Sequence, residues 1–218
     1  MSNPFDFTLL EDKLYSAVVA DILDEIGYRE QIMSHEIRPI DPSCKFMGRA
    51  LTVLATDVYE IPAFPYQKEL EAIDQLKEGD VLVATTNGSI SSGFWGELLS
   101  TASMVKGARG AVIDGFTRDS IQIKRTGFPV FSRGYCPYDS KGRTDVIDYN
   151  VPIRCGGVFI HPGDLIFGDH DGIAVIPQQI AEEVIIKALE KVKGENQMRK
   201  ALEEGMSVVE AFQKYGIL

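Results

Sequence analysis

Residues 80–119 read DVLVATTNGSISSGFWGELLSTASMVKGARGAVIDGFTRD, and the predicted fold class rests mainly on this segment. It contains two short apolar segments typical of buried strands, Asp80–Thr86 and Ala111–Asp114. Between them, a loop rich in glycine and serine leads into apolar residues at helical spacing over Phe94–Gly107. A strand, a crossover helix and a second strand within about 35 residues make a βαβ unit. The two strands are therefore predicted to be parallel and adjacent.

The chain before this unit is predicted to begin with a helix over about residues 9–27. Thr8 and Glu11 have the spacing of a capping box, and Gly27 stands where a helix C-cap is expected. A strand over residues 50–55 and a helix over residues 66–76 follow.

The chain after the unit changes to short strands and turns. Val151–Ile160 is interrupted by two glycines, and Leu165–Phe167 and Ile173–Ile176 flank a polar turn in the manner of a hairpin. Residues 178–215 read as two helices. We therefore predict one α/β domain spanning residues 1–218, with a mixed sheet or barrel and terminal helices.

Composition excludes several classes of function. The hydrophobic fraction of 44% and the charged fraction of 25% are those of a globular protein. The net charge of −10, with no dense run of Lys and Arg, argues against nucleic-acid binding. The longest apolar runs, of about eight residues, are too short to span a membrane.

The N-terminus and the cysteines predict a cytoplasmic protein. Residues 1–6 have no basic segment before an apolar core, so a signal peptide is not expected. The three cysteines are Cys44, Cys136 and Cys155, an odd number without paired spacing, which disfavours a disulfide framework and a metal knuckle.

The candidate site follows from the βαβ unit, because ligands bind parallel α/β sheets at the carboxyl ends of strands. The helix start Gly96–Leu99 and the pair Arg118-Asp119 both follow such ends. Free amides of a helix start can bind an anion, Arg118 can grip a carboxylate, and Asp119 can ligate a hard cation. From the residues alone, a solvated turn pair at Arg118-Asp119 and a dipole-complementing charge at Glu97 remain alternatives.

These motifs resemble a family that joins 4-hydroxy-4-methyl-2-oxoglutarate and 4-carboxy-4-hydroxy-2-oxoadipate aldolases with the regulator of ribonuclease activity A. The resemblance covers roughly residues 15–180. It rests on five motifs: Gly96-Glu97-Leu98-Leu99 with Gly107-x-x-Gly110-x-Val112-x-Asp114-Gly115-x-x-Arg118-Asp119; Ala20-Asp21-x-x-Asp24; Gly48-Arg49-Ala50-x-Thr52-Val53; Pro162-Gly163-Asp164; and Gly168-Asp-x-Asp-Gly172.

The resemblance implies a swivelling β/β/α domain, or α-β-β-α sandwich, that assembles as a homotrimer or homohexamer with sites between subunits. It implies a class II aldolase that uses Mg²⁺ or Mn²⁺, with Asp119 as metal ligand and Arg118 on the oxo-acid end of the substrate. The acidic Glu97 would lie near metal-bound water. The implied carboxylate-binding residues are Gly96, Glu97, Leu98 and Leu99.

The implied reaction cleaves a 4-hydroxy-2-oxo dicarboxylic acid to pyruvate and a second oxo acid. Decarboxylation of oxaloacetate would be a side activity, because it passes through the same pyruvate enolate. The alternative is a non-catalytic, protein-binding regulator of the ribonuclease-inhibitor type. In that branch the Asp after the Arg is replaced, so Asp119 favours the enzyme.

Several further residues have two readings. Family members often carry an acidic residue where this chain has Gln122, so no role is assigned to that side chain. His170, between two aspartates, suggests either a second metal cluster or a polar turn. Asp21 and Asp24 share one helix face, which is either part of a functional site or a solvent-exposed surface. Residues 135–143 would select the distal end of the substrate or line a subunit interface. Glu195 is a candidate for a neighbouring subunit's site.

Overall fold

The computed structural model describes residues 5–217. Residues 1–4 and residue 218 lie outside the described residues, so the prediction that residues 1–6 do not begin a signal peptide falls mostly outside them. The described chain contains seven α-helices and eleven strands. In chain order they are α1 Phe7–Lys13, α2 Ser16–Glu25, β1 Arg38–Pro39, β2 Phe46–Asp57, α3 Gln67–Gln75, β3 Asp80–Thr85, β4 Gly93–Trp95, α4 Glu97–Val105, β5 Gly110–Thr117, α5 Ser120–Thr126, β6 Val130–Tyr135, β7 Thr144–Tyr149, β8 Ile153–Cys155, β9 Val158–Ile160, β10 Leu165–Gly168, β11 Ile173–Ile176, α6 Ala181–Glu203 and α7 Val208–Tyr215.

Nine of these strands form one mixed sheet, in agreement with the predicted α/β fold. Its main path runs β1-β6-β5-β3-β2-β10-β11, with β4 on β5 and β7 on β2, while β8 and β9 form a separate hairpin. The predicted βαβ unit is confirmed, because β3 and β5 pair in parallel from Val81↔Gly110 to Thr85↔Asp114. The predicted hairpin of β10 and β11 is confirmed as well.

The central strands are buried on both faces, which explains why their sequences are continuously apolar rather than alternating. Leu82 and Ala84 of β3 pack in one core cluster with α3 and Trp95, while Val81 and Val83 pack in another with the β8–β9 hairpin. A third cluster joins α1, α2 and α6 to β10 and β11. The helices thus cover the sheet and leave the ends of its parallel strands for the loops.

The prediction of one N-terminal helix over residues 9–27 is wrong. The structure has two helices, α1 and α2, because Leu14 and Tyr15 between them are extended. Asp169, from the β10–β11 turn, accepts hydrogen bonds from both the amide and the hydroxyl of Ser16, at 2.7 Å and 2.6 Å. This distant carboxylate starts α2 and gives the polar turn a structural role.

The predicted capping box of Thr8 and Glu11 is also wrong. The side chain of Asp6 caps α1 by accepting the amide of Leu9, and Thr8 lies inside the helix. Glu11 instead accepts the amide of Met47 at 2.6 Å and pairs with Arg109 at 2.7 Å. Long-range partners therefore outcompete the local capping interaction.

The predicted helix over residues 94–107 begins later than expected. Phe94 and Trp95 belong to β4, which pairs in parallel with the end of β5, and α4 begins only at Glu97. Both aromatic side chains are buried in the core. The other predicted helices are confirmed, and a 3₁₀ turn precedes α6. Across residues 5–217, no helix has the length and apolar character of a membrane span.

Candidate functional site

Strand pairing brings the start of α4 and the Arg118-Asp119 pair to one edge of the sheet. The amide of Arg118 donates to the carbonyl of Trp95 at 2.8 Å, which joins the end of β5 to the end of β4. On the other side of β5, the amide of Cys136 donates to the carbonyl of Thr117 at 2.9 Å. Backbone hydrogen bonds therefore hold the Arg118-Asp119 pair next to the start of α4, as the βαβ unit predicts.

Asp119 lies at the centre of this edge in a strained conformation. Its φ of 57° is left-handed, which is uncommon for a residue other than glycine and is found at functional sites. Although Asp119 is the N-cap residue of α5, its side chain does not cap that helix. One carboxylate oxygen, Oδ2, instead accepts the amide of Glu97 at 3.3 Å. The side chain therefore points to the start of α4 and stays 45% exposed.

The first turn of α4 has the remaining predicted anion-binding groups. The Glu97 carboxylate accepts the hydroxyl of Thr101 at 2.7 Å, which holds this side chain along the helix. The Leu98 side chain is exposed, while Leu99 packs on the core. The amides of Leu98 and Leu99 lie in the first helical turn, where no carbonyl of the helix can accept them. They are placed to bind an anion beside Asp119.

Gly96 allows this close approach. A β-carbon at Gly96 would lie 2.9 Å from Oδ2 of Asp119 and 3.4 Å from the Arg118 side chain. Since carbon and oxygen atoms of this kind do not pack so closely, the Asp119 carboxylate could not keep its place beside a larger residue.

We expect Gly96→Ala to displace the Asp119 carboxylate from the amide of Glu97. At a metal site of the kind that the resemblance implies, the affinity for Mg²⁺ should fall about tenfold, with little change in the free energy of unfolding, since a lost charge-assisted hydrogen bond costs about 1.5–3 kcal/mol locally. Calorimetric Mg²⁺ titration and urea unfolding measure the two quantities. Gly172→Ala is the control, because nothing lies within 4 Å of the added β-carbon. Unchanged Mg²⁺ affinity in Gly96→Ala would contradict the role given to this glycine.

Arg118 is held by carboxylates on two sides. Its Nη1 lies 3.2 Å from Oδ1 of Asp139, and its Nε lies 3.7 Å from Oδ2 of Asp119. Asp139 in turn accepts a hydrogen bond from the hydroxyl of Tyr66, the residue before α3. The Arg143 guanidinium stacks over the Tyr138 ring and donates to the Asp139 carbonyl. The predicted loop of residues 135–143 thus lies against Arg118.

Two further residues near the site, Tyr66 before α3 and Glu69 within it, were not predicted from the sequence. Glu69 is buried, and its Oε1 has no hydrogen-bond partner. Burial raises its pKa to about 8, and the negative charges of Asp139 and Asp145 add to the shift while Arg118 opposes it. A glutamate in a polar helix gives no local signal of burial, so only the packing of α3 reveals it.

Other residues singled out by sequence lie elsewhere. Gln122 is exposed on α5, and Asp21 pairs with Lys191 at 2.7 Å on the surface of α2. Glu195 is half-buried on α6, where desolvation raises its pKa. Its role in a neighbouring subunit's site stays a prediction. Among residues 5–217, no group of three or more His, Cys, Asp and Glu side chains is arranged to hold a metal, and Asp169 accepts the amide and hydroxyl of Ser16. The structure therefore favours the polar-turn interpretation of His170.

The donor chemistry of Asp119 nevertheless fits Mg²⁺ or Mn²⁺. These ions prefer oxygen ligands, and Mg²⁺ is often held by one or two carboxylates with water and substrate oxygens completing its shell. Asp119 supplies one such carboxylate, half-exposed and beside an anion-binding helix start. The residues present therefore fit a metal held by one side chain together with water and substrate.

A large cleft lies at the opposite edge of the sheet. It has a volume of about 1160 Å³, and its wall includes Asp80 at the start of β3, Arg109 before β5, and Phe5, the first described residue. Because parallel sheets bind ligands at the carboxyl ends of their strands, this cleft is the less favoured candidate.

Comparison with known proteins identifies the family. The RraA-like family model, described as Aldolase/RraA, matches residues 16–175. A protein of Halalkalibacterium halodurans named "Putative 4-hydroxy-4-methyl-2-oxoglutarate aldolase" is 30% identical over 207 residues, 95% of this chain and 93% of that protein. Protein DlpA of Legionella pneumophila is 30% identical over 200 residues, 92% of this chain, although the chain spans only 32% of DlpA.

A solved structure agrees with the sequence matches. Streptomyces coelicolor RraAS2, described as an unusual member of the RNase ES inhibitor RraA protein family, superposes with a TM-score of 0.77 and 29% identity, covering 91% of this chain and 99% of that one. The chain belongs to the RraA-like family, and the fold implied by the sequence resemblance is confirmed.

Proposed function

We propose that this protein is a divalent-metal-dependent aldolase, a carbon–carbon lyase that cleaves a 4-hydroxy-2-oxo dicarboxylic acid such as 4-hydroxy-4-methyl-2-oxoglutarate. The products are pyruvate and a second oxo acid, and oxaloacetate is decarboxylated as a side reaction. One observation carries the proposal: a guanidinium, a carboxylate and a helix start converge where Arg118 and Asp119 meet Glu97. Relatives with aldolase names support the same class.

Each residue of the site has a distinct role in the proposed reaction. Arg118 binds the oxo-acid end of the substrate, and the amides of Leu98 and Leu99 bind its carboxylate. Asp119 holds Mg²⁺ or Mn²⁺, which supplies Lewis-acid stabilisation of the enolate when bound.

As the C3–C4 bond breaks, the 4-hydroxyl proton leaves and its electron pair forms the new carbonyl. The C3–C4 electron pair becomes the pyruvate enolate, which Arg118 stabilises before C3 gains a proton. Glu97, held by Thr101, orients the water that carries these protons.

The proposed active form is a homotrimer or homohexamer with the site between subunits, in the cytoplasm. Several large apolar side chains are exposed around the site, which supports the burial of this surface in a subunit interface. They are Phe64, Leu98, Ile121 and Tyr138. A neighbouring subunit would then complete the site, with Glu195 as a candidate residue. The three cysteines are free thiols, which supports a reducing compartment.

A second candidate function is a protein-binding regulator. The exposed apolar surface and the similarity to RraAS2 favour it. The half-exposed Asp119, strained and directed at a helix start, favours the enzyme because a surface for protein binding does not require it.

The first test is pyruvate release from 4-hydroxy-4-methyl-2-oxoglutarate and from oxaloacetate, with Mg²⁺ and then with EDTA. We expect EDTA and Asp119→Ala each to lower turnover at least about 100-fold, since both remove metal-dependent stabilisation of the enolate. Asp12→Ala, an exposed aspartate on α1, is the matched control and should keep full activity. Absence of turnover of both compounds by folded, metal-loaded protein would reject this substrate class and favour the regulator.

A further inference from the structure

The start of α3 is connected to Arg118 by a chain of polar contacts. Tyr66 precedes α3 with a left-handed φ of 66°, a conformation that is uncommon for an aromatic residue. Its hydroxyl donates to Oδ2 of Asp139, and the other oxygen, Oδ1, lies 3.2 Å from Nη1 of Arg118. The orientation of the guanidinium therefore depends on a residue more than fifty positions earlier in the chain.

Glu69 lies one turn further along α3, on the buried side. Only 7% of the residue is exposed, and its Oε1 has no hydrogen-bond partner. An ionised carboxylate buried without hydrogen bonds is costly, so the neutral acid is favoured at this position. In agreement, desolvation and the neighbouring charges raise the pKa of Glu69 to about 8.

The protonation state of Glu69 is coupled to charged groups on the surrounding elements, including Arg118 of the site. Asp139 in the loop before β7 and Asp145 on β7 raise the pKa of Glu69, while Arg118 lowers it. On the other elements packed against α3, Asp57 of β2 accepts the hydroxyls of Ser89 and Ser91, and Lys106 after α4 pairs with Asp74 of α3. On α3 itself, the Lys68 ammonium donates to the Ile147 carbonyl and the Glu71 carboxylate accepts the Gln67 amide.

We propose that Glu69 is a positioning residue for Arg118: as a neutral acid, it lets Asp139 hold the guanidinium without adding a further negative charge to the anion site. This inference rests on the proposed binding of an oxo acid at Arg118. When Glu69 loses its proton, the new charge attracts Arg118 and repels the substrate carboxylate. Affinity for an oxo acid then falls.

The direction of the pH effect follows from the raised pKa. Below a pH of about 8, Glu69 is neutral and binding at Arg118 is unaffected. Above it, Glu69 is charged and binding weakens, because the added negative charge repels an anionic ligand. Glutamine at position 69 has nearly the same shape and no charge, so it should remove the effect.

The probe is oxalate, a planar dianion of the size of the pyruvate enolate, titrated calorimetrically into Mg²⁺-loaded protein between about pH 6.5 and about pH 9.5. We expect the wild-type affinity to fall about tenfold across this range, the change that one nearby charge can produce. Glu69→Gln should show a fall of less than about twofold. Glu71→Gln, on the same helix, is the matched control and should behave like the wild type.

Two further measurements distinguish failure of this inference from failure of the proposed oxo-acid site. One is a titration without ligand, and the other uses a second variant. Carbon NMR of labelled glutamates, with Glu69→Gln for assignment, should show the Glu69 carboxyl titrating near a pH of about 8. Tyr66→Phe, which frees Asp139, should weaken oxalate binding about threefold at every pH, the loss of a modest hydrogen bond.

Titration of Glu69 near its ordinary pKa of 4.5, or an affinity fall in Glu69→Gln equal to that of the wild type, would overturn the inference alone. Failure of the wild type to bind oxalate at any pH would overturn the proposed oxo-acid site and the inference with it.

Discussion

Arg118→Lys is expected to lower kcat/KM for pyruvate release by about 10²–10³-fold, the cost of removing a preorganised donor from a developing negative charge. The guanidinium contacts Asp139 through Nη1 and lies beside Asp119 through Nε, so its plane is fixed before substrate arrives. A lysine ammonium is a single point charge that cannot maintain both contacts while binding a carboxylate in a bidentate manner. Steady-state kinetics with Mg²⁺ measure the effect.

Arg125→Lys is the matched control, because Arg125 lies in the last turn of α5 and is exposed. It should retain the kcat/KM of the wild type. If Arg118→Lys lost less than about threefold in kcat/KM, the guanidinium would not stabilise the enolate, and the proposed mechanism would lose its main electrostatic element.

Trp95→Ala is expected to lower the free energy of unfolding by about 3–5 kcal/mol, the usual cost of truncating a large buried aromatic residue. Trp95 is the single tryptophan of the chain and is 1% exposed in the core cluster between the sheet, α3 and α4. Its indole N–H donates to the hydroxyl of Ser100 at 2.8 Å, which anchors the start of α4. Urea unfolding followed by circular dichroism measures the loss, since the variant has no tryptophan fluorescence.

Trp95→Phe separates packing from hydrogen bonding. It retains most of the aromatic volume but not the indole N–H, so the loss should be about 1–2 kcal/mol. A Trp95→Ala variant as stable as the wild type would show that β4 is not part of the core. A Trp95→Ala variant that remains folded should also lose activity, because loss of the indole lets β4 shift and with it the Trp95 carbonyl that accepts the amide of Arg118.

The central βαβ unit was predictable because its signals are local. The apolar segments at residues 80–86 and 111–114 and the helical spacing between them require parallel neighbours. That topology alone brings Gly96 and Arg118-Asp119 to one edge of the sheet, as the structure confirms. The same stretch also contains the central motif of the resemblance to the RraA-like family.

The errors at element ends have a common physical cause. Phe94 and Trp95 fit a helical pattern, yet they form β4 because the end of β5 offers a free edge and the core offers a place for both rings. The N-terminal helix divides at Leu14 because Asp169, over 150 residues away, caps a new helix at Ser16. In each case a tertiary partner overrides a local preference.

The α/β class, the parallel unit and the placement of Arg118, Asp119 and the start of α4 were all predictable before folding, because these features depend on patterns within forty residues. The contacts of Asp139 with Arg118 and Tyr66, and the burial of Glu69, become visible only when distant segments of the chain have packed together. The physical reason is that burial and charge proximity arise from packing between distant segments. A polar residue's own sequence neighbours do not reveal whether water or a core surrounds it.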